Sequence, residues 1–231
     1  PFLINTREVF LTASIGVSLY PHDGKDIDTL VKNAAAAMNR AKEQGRNTVH
    51  YYTAEINARV ADRLSLAADL HRALERNELL LHYQPQVDSR TGRIIGAEAL
   101  IRWRHPTRGL VPPSVFIPVA EETGLIQPIG AWVLETACAQ AREWQNMGVP
   151  LPTISVNVSV RQFMRKDLLD VLVKVIRNAN LDARVLELEV TESLIMSDAD
   201  EFVSTLKKLK DAGIKLAIDD FGTGYSSLSY L

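Results

Sequence analysis

The sequence contains only one cysteine, Cys138, among 231 residues. A single cysteine excludes an intramolecular disulfide framework and suits a reducing compartment, so we expect a cytoplasmic protein. Cys138 lies in "WVLETACAQAREW", and helical periodicity places it on one face with Leu134, Ala137 and Ala141. We therefore interpret it as a packed structural thiol rather than as a nucleophile.

Several other features are absent as well. The sequence has no apolar run of membrane-spanning length, and its start, "PFLINTREVF", lacks the anatomy of a signal peptide. The five histidines are scattered, with no pair at zinc-ligand spacing. The net charge of −2, from 26 basic and 28 acidic residues, gives no attraction to nucleic acid, so we expect no nucleic-acid partner. The first residue is Pro1 rather than Met, and we expect a piece of a longer protein, with any membrane attachment in regions absent from this sequence.

The first fifty residues alternate between strand and helix patterns. "VFLTASIGVSLYP" alternates apolar residues with smaller or more polar ones, which predicts a half-buried strand over residues 9–21. A helix is predicted from about Asp28 to Gly45, and "TVHYY" predicts a second strand. From about Ala54 to Asn77 a polar-rich helix with one apolar stripe follows, and we interpret it as a connector between two domains.

The rest of the sequence has the pattern of an α/β domain. "LLLHYQPQVD" and "RIIGAEALIRW" predict two strands joined as a hairpin. A helical stretch follows from Ser114 to about Gly148, with a break near Gly124. Three strands, "TISVNVS", "LELEVTE" and "KLAIDDFG", then alternate with amphipathic helices. This alternation predicts parallel βαβ units and therefore an α/β sheet or barrel.

Four predicted strands carry a potential oxygen ligand at or near their end: Glu98, Asn157, Glu189 and Asp219. Ligands at the same end of successive parallel strands converge, as they do at the C-terminal face of α/β barrels. Three carboxylates and an amide suit Mg²⁺ or Mn²⁺ better than zinc. The adjacent Asp220 extends the set to a second ion, since two like charges side by side would otherwise repel each other.

Each of these polar residues also has a more ordinary interpretation. Acidic residues at strand ends often start loops or cap the next helix, and Glu192 could simply open a helix. Arg102 and Arg104 could be solvated charges, and Gly222 and Gly224 could serve only a turn. Four oxygen ligands in phase, each after an apolar strand, favour a site over that interpretation.

Several long motifs occur together in this sequence. "GAEALIRWRHP", "FIPVAEETGLI", "SVNVS", "LELEVTES" and "IDDFGTGYSSLSYL" resemble the EAL domain family of bacterial cyclic-di-GMP phosphodiesterases over about residues 63–231. "TASIGVSLYP" and "AMNRAKEQGRN" resemble the C-terminal end of a GGDEF (diguanylate cyclase) domain. We therefore assign residues 1–53 to a GGDEF remnant, 54–77 to a connector helix and 78–231 to a truncated EAL domain.

The resemblance implies a fold and an activity. The expected fold is an incomplete, modified (β/α)₈ TIM-type barrel with an antiparallel first strand, preceded by the α/β remnant of the GGDEF domain. The expected activity of the parent protein is hydrolysis of cyclic-di-GMP to linear pGpG at a site with two Mg²⁺ or Mn²⁺ ions. The expected partners are cyclic-di-GMP and a second copy of the chain, which would form a homodimer through the EAL domain.

The resemblance also assigns roles to individual residues. The positions that match the family's metal ligands are Glu98, Asn157, Glu189, Asp219 and, for the second ion, Asp220. Glu98, Asp219 and Asp220 are thereby also expected to be catalytic.

Other positions match residues that act on the substrate or on a loop. Glu192 matches the glutamate that steadies the loop after "DDFGTG". Glu192 is therefore also expected to be needed for catalysis. Arg102 matches the arginine that contacts the ligand's phosphate, and Gln84 in "YQP" matches a substrate-facing strand end. In the remnant, Lys42 and Arg46 match phosphate-contacting positions of GGDEF domains.

The sequence departs from both families by what it lacks. It has no G-G-[DE]-E-F motif, so cyclic-di-GMP synthesis is not assigned to it. The catalytic lysine, a later metal-binding glutamate and the general-base glutamate of the EAL family would lie beyond Leu231. We therefore expect a fragment clipped at both ends that is inactive by itself.

Two alternatives to an enzyme remain. A non-catalytic EAL receptor would bind cyclic-di-GMP and relay a signal, and an inert scaffold or dimerisation module would need no site at all. Receptors of this family typically lose some metal ligands. Every ligand position within this sequence is intact, which favours the enzyme.

Overall fold

The computed structural model describes residues 2–4, 7–9, 11–149, 151–191 and 199–219. The chain divides into two compact units, residues 1–68 and 69–231, which are described separately. No helix in the described ranges is long and apolar enough to cross a lipid bilayer.

The first unit contains short strands and two helices. Its elements are β1 (Phe2–Ile4), β2 (Arg7–Val9), β3 (Ile15–Val17), α1 (Ile27–Glu43), β4 (Val49–Tyr51) and the first part of α2 (Ala54–Ala73). β1 and β2 form an antiparallel hairpin, and β3 pairs with β4 in parallel. The predicted strand–helix–strand order of this region is therefore confirmed.

Helix α1 begins where the sequence supplies a cap and lies against β3. The Asp26 carboxylate accepts a hydrogen bond from the Thr29 backbone N–H at 2.8 Å, which satisfies one of the free donors of the first turn. Gly16 of β3 is so close to α1 that a Cβ there would lie 2.0 Å from the Ala34 carbonyl oxygen. A larger residue at position 16 would therefore push the helix off the strand.

The predicted length of the first strand was wrong. Between residues 11 and 21 only Ile15–Val17 is strand, and Leu11 is 68% exposed. The alternating pattern extends over more residues than its partner can pair, because β4 offers only the three residues Val49–Tyr51. Without ladder hydrogen bonds an alternating segment does not remain a strand.

The second unit alternates strands with helices. Its elements after α2 are β5 (Leu79–Val87), β6 (Ile94–His105), β7 (Gly109–Val111), α3 (Pro113–Thr123), α4 (Ile126–Asn146), β8 (Ile154–Asn157), α5 (Val160–Phe163), α6 (Leu168–Asn178), β9 (Leu186–Thr191), α7 (Ala199–Asp211) and β10 (Lys215–Asp219). A 3₁₀ turn, Ala183–Val185, leads into β9.

These strands form one mixed sheet in the order β5–β6–β8–β9–β10. β5 is antiparallel to β6, and the pairs β6–β8, β8–β9 and β9–β10 are parallel. β7 pairs antiparallel with the end of β6. The predicted α/β class and the antiparallel first strand are confirmed.

The β5–β6 hairpin combines a capped turn with a bulge. The Asp88 carboxylate accepts hydrogen bonds from the backbone N–H groups of Arg90 and Thr91 at 3.0 and 2.7 Å. Gln86 pairs with Gly96 but Val87 pairs with Ile94, so β6 carries one extra residue at this point. Such a bulge locally re-aims the side chains beside it.

The core of the second unit lies between the sheet and its helices. The helix-facing sheet residues, each at most 5% exposed, are Ala97, Ala99, Ile154, Val156, Leu186, Leu188 and Val190. The buried stripe of α4 includes Ile129, Val133, Ala137, Cys138 and Ala141. Cys138 is fully buried, as predicted, and burial raises the pKa of its thiol to about 12.

Helix α4 also contacts α5, the short helix that follows β8. The predicted break between α3 and α4 is confirmed at Gly124, whose φ of +79° ends α3. Helix α5 begins with a capping box, in which the Gln162 N–H donates to Ser159 Oγ and the Ser159 N–H donates to Gln162 Oε1. A Cβ on Gly130 of α4 would lie 1.6 Å from Gln162 Nε2. The glycine thus makes room for the amide that caps α5.

Candidate active site

The sheet has a polar face opposite the helix-packed one. Side chains alternate between the two faces of a strand, and residues paired in register point to the same side. The strand register therefore places on the polar face Gln84, Glu98, Ser155, Asn157, Glu187, Glu189, Lys215 and Asp219. All three parallel strands that follow β6 contribute to this set, and Asn157 and Asp219 are the last residues of β8 and β10.

Glu98 and Asn157 meet across neighbouring strands. Asn157 Nδ2 donates a hydrogen bond to Glu98 Oε1 at 2.7 Å. Glu189 is paired in register with Asn157 on the next strand. Three of the four oxygen ligands predicted from strand ends therefore lie side by side on β6, β8 and β9.

The fourth predicted ligand, Asp219, is at the C-terminal end of β10. It is paired with Thr191 and lies two residues beyond Ala217, the partner of Glu189. Its side chain is exposed. Asp219 thus lies on the same face, farther toward the rim of the sheet.

The electrostatics of this group centre on Glu189. Burial raises the pKa of Glu189 to about 7, the negative charges of Glu98 and Asp219 add to the rise, and a hydrogen bond with Ser155 opposes it. Carboxylates that repel one another favour either a proton or a bound cation between them. The donors are all oxygens, the kind of ligand that Mg²⁺ and Mn²⁺ prefer.

The described side chains do not by themselves form a closed metal cage. Within the described ranges, no three His, Cys, Asp or Glu side chains are close enough together to hold one metal ion. Asp220 and Glu192, which the sequence predicts as site residues, lie outside the described residues. The chemistry of Glu98, Asn157 and Glu189 fits a divalent cation as one side of such a site.

The two predicted substrate-binding residues flank this group. Gln84 is exposed on β5 and paired with Glu98. Arg102 is half-buried on β6, on the same face as Glu98, and its Nη1 donates to the Ile101 carbonyl at 2.8 Å. Gln84 is therefore opposite Glu98, whereas Arg102 lies four residues farther along β6 on the same face.

A cavity of about 310 Å³ opens beside these residues. It is bordered by Arg102, Asn157 and Thr191 on the sheet and by apolar residues of α3 and α4, including Ile117 and Ile129. Cavities that combine apolar walls with a few polar groups are typical ligand sites. The cavity therefore shares Arg102, Asn157 and Thr191 with the sheet and is otherwise mostly apolar.

Comparison with known proteins identifies the family. The EAL domain family matches residues 67–231. The chain belongs to the EAL domain family. At its other end, residues 1–48 match the "Diguanylate cyclase, GGDEF domain" family.

Two of the curated relatives of the chain are larger proteins. The chain is 48% identical over 231 residues to the bifunctional diguanylate cyclase/cyclic di-GMP phosphodiesterase MucR of Pseudomonas aeruginosa, and it covers 34% of that protein. It is 40% identical over 231 residues to the cyclic di-GMP phosphodiesterase NbdA of the same organism and covers 30% of it. The chain thus spans about a third of the length of these curated relatives.

A solved EAL structure agrees with the fold. The chain is similar to the MucR phosphodiesterase in complex with c-di-GMP, with a TM-score of 0.70 and 49% identity. This similarity covers 72% of the chain and 67% of the solved one. EAL phosphodiesterases generally depend on divalent metal ions, in agreement with the oxygen donors on the polar face.

The residues predicted from the GGDEF resemblance lie apart from the EAL site in sequence. Lys42 is exposed in the last turn of α1, and Arg46 is exposed in the turn that follows, with a φ of +61°. Both belong to the first unit and are four residues apart in sequence.

Part of the polar face of the EAL sheet is not predicted from the sequence. Gln86 Nε2 donates to Ser155 Oγ at 3.3 Å and to Glu189 Oε1 at 3.4 Å, and Ser155 Oγ donates to Glu187 Oε1 at 2.8 Å. Ser155 and Glu187 lie on the same face as the predicted ligands Asn157 and Glu189, nearer the N-terminal ends of β8 and β9. The signal was present in the spacing, because Ser155 and Glu187 are each two residues before a predicted ligand.

Proposed function

We propose that the protein containing this chain is a metal-dependent phosphodiesterase that hydrolyses cyclic-di-GMP to linear pGpG. The proposed site binds two Mg²⁺ or Mn²⁺ ions through Glu98, Asn157, Glu189, Asp219 and Asp220. The observation that carries this proposal is the contact between Asn157 and Glu98 next to Glu189. Asn157 is the last residue of β8, the position at which α/β barrels place their active sites, and its partner Glu98 lies within β6. The named EAL relatives support the reaction and the substrate.

The chain's own residues would hold and orient the reacting groups. Asn157 restrains the Glu98 carboxylate through its 2.7 Å hydrogen bond. Arg102 offers its guanidinium to a phosphate oxygen of the substrate, and Gln84 contacts the substrate from β5. Glu192 would steady the loop that the family has after "DDFGTG". When bound, two divalent ions would supply positive charge to the phosphate oxygens and lower the pKa of the attacking water.

We propose the organisation of the protein from the same matches. Residues 1–53 are the end of a GGDEF domain, residues 54–77 are a connector, and residues 78–231 are part of the EAL domain. Lys42 and Arg46 occupy the phosphate-contacting positions of the GGDEF part. The two family matches, over 1–48 and 67–231, support this division. A homodimer through the EAL domain and a cytoplasmic location complete the proposal, the latter supported by the single cysteine.

A turnover assay tests the function. The full-length protein is incubated with cyclic-di-GMP and Mg²⁺ or Mn²⁺, and pGpG is separated chromatographically. We expect turnover that a chelator stops and that Glu98→Gln abolishes, because the substitution removes a charged ligand. Glu135→Gln, at an exposed position of α4, is the matched control and is expected to leave the rate unchanged.

The same assay distinguishes an enzyme from a receptor. A non-catalytic EAL receptor would bind cyclic-di-GMP in a calorimeter with Ca²⁺ present and yet produce no pGpG with Mg²⁺ or Mn²⁺. Near-normal turnover by Glu98→Gln would remove Glu98 from the proposed metal site.

A further inference from the structure

We infer that Gln86 is a positioning residue: its side-chain amide orients the carboxylate of Glu189 for cation binding. The inference rests on the proposed function, because it assigns a role toward the divalent ion that Glu189 would bind. Gln86 is on β5 and Glu189 is on β9, so the contact connects two strands that are not neighbours in the sheet. It thus extends from the antiparallel edge strand across β6 and β8 to β9.

The hydrogen bonds of Gln86 give it two partners on the polar face. Its Nε2 lies 3.3 Å from Ser155 Oγ and 3.4 Å from Glu189 Oε1. An amide nitrogen has two N–H donors, so it can serve a hydroxyl and a carboxylate at the same time. Both contacts are long and therefore weak, so their effect is to orient the carboxylate rather than to add much stability.

Ser155 alone cannot donate to both Glu187 and Glu189. Its hydroxyl is fully buried and has a single proton, so it can donate to only one of its two carboxylate neighbours at a time. Its short contact, 2.8 Å, is with Glu187 Oε1. Gln86 is therefore the donor that remains for Glu189 when the serine proton is directed to Glu187.

The backbone around Gln86 is shaped to accept its amide. A Cβ on Gly96, the residue paired with Gln86, would lie 2.5 Å from Gln86 Oε1. The bulge in β6 occurs at the same point, where the pairing shifts between Gln86 and Val87. Gly96 thus leaves room for the Gln86 amide, and the bulge in β6 lies beside it. At this point the amide extends toward β8 and β9.

This arrangement predicts an effect on metal affinity rather than on substrate contacts. Residues that orient a metal ligand typically change metal affinity or activity by about 10–100-fold when they are replaced. Gln86→Met keeps the length and approximate volume of the side chain and removes its donors. Gln140→Met is the matched control, because Gln140 donates to Glu143 at 3.0 Å on the exposed face of α4.

The experiment uses the full-length protein and Mn²⁺ itself as the probe. Isothermal calorimetry without substrate measures the dissociation constant for Mn²⁺, and turnover is then measured as a function of Mn²⁺ concentration. For Gln86→Met we expect Mn²⁺ to bind at least about 10-fold more weakly. We also expect the lost turnover to return at saturating Mn²⁺, which general structural damage would not allow. Gln140→Met should match the wild type in both measurements.

A second variant keeps the inference testable if Gln86→Met does not fold. Gln86→Asn retains an amide but is one methylene too short for the same contacts, and it is expected to show the same loss of Mn²⁺ affinity. An unchanged Mn²⁺ dissociation constant in either folded variant overturns the role of Gln86 and leaves the proposed phosphodiesterase intact. A wild-type protein that neither binds Mn²⁺ nor produces pGpG overturns both.

Discussion

At the scale of single residues, Asp219 is the predicted ligand for which charge matters most. It lies at the end of β10 on the polar face, and its negative charge adds to the rise in the pKa of Glu189. Asp219→Asn preserves shape but removes that charge, so we expect kcat to fall at least about 100-fold, because metal ions contribute several kcal/mol to such reactions. Asp170→Asn, at an exposed position of α6, is the control. Equal kcat values for the two variants would exclude Asp219 as a ligand.

Arg102 is expected to act on ligand affinity. It is half-buried on β6, on the same face as Glu98 and beside the cavity. Arg102→Ala should weaken cyclic-di-GMP binding by about 1.5–3 kcal/mol, roughly 10- to 150-fold, the scale of a hydrogen bond to a charged group. Calorimetry with Ca²⁺, which suppresses turnover, measures this. Arg93→Ala, in the hairpin loop at the opposite end of β6, should have no effect; an unchanged affinity for Arg102→Ala would refute the phosphate contact.

At the scale of secondary-structure elements, the contact between α4 and α5 gives a prediction with an unusual sign. Gly to Ala inside a helix ordinarily stabilises by about 1 kcal/mol. At Gly130 the added Cβ would lie 1.6 Å from Gln162 Nε2, displacing the amide that caps α5. We therefore expect Gly130→Ala to destabilise the EAL domain by about 1–3 kcal/mol, the range for overpacking.

Thermal denaturation of the Gly130→Ala variant measures this effect. Gln162→Ala in the same background removes the clash, so the double variant should regain part of the lost melting temperature. A single variant more stable than the wild type would show that Gln162 moves aside at no cost.

Most elements of the second unit could be predicted because their periodicities are long and clear. The parallel strands end at Asn157, Thr191 and Asp219, close to the predicted ends. The short elements were not predicted: the β1–β2 hairpin, β7 and α5. Segments of three or four residues contain at most two periods of a strand pattern or about one of a helical pattern, too few to establish either, so their structure depends on the partners available in the fold.

The site residues that could be predicted are those whose position follows from the strand pattern of the sequence. Asn157 ends its strand as predicted, whereas Glu98 lies within β6 rather than at its end, and the structure brings these two side chains into contact. Gln86 could not be predicted from its own sequence position, because it acts across the sheet on Glu189 from β5, over a separation of 103 residues. Such a pairing depends on strand order and register, which local sequence does not determine.

At the scale of the whole molecule, Cys138 serves as a reporter of unfolding. It is the only cysteine of the chain, is fully buried and has a pKa raised to about 12 by burial. An unfolded cysteine has a pKa of about 8.5. At pH 8 we therefore expect the native thiol to react with a maleimide or a disulfide reagent on the order of 10³-fold more slowly than in denaturant.

The pH dependence of this labelling has a definite sign. Because the folded state keeps the proton, the thiol's contribution to stability is fully present below about pH 8.5 and is lost as the pH rises toward 12. Native labelling should thus stay slow between pH 7 and about pH 8.5 and follow the global unfolding rate. Rapid labelling under native conditions would contradict the buried position of Cys138.

The alternation of the two faces along β8 has a consequence for how this domain tolerates insertions and deletions during evolution. In β8 the residues Ser155 and Asn157 face the carboxylates, whereas Ile154 and Val156 face the helices. One inserted residue inside this strand would exchange the two sets, placing an amide in the apolar core and a valine in the site. Lineages of the domain should therefore accumulate length changes in turns such as the one after Asp88 and keep the lengths of the site-bearing strands fixed.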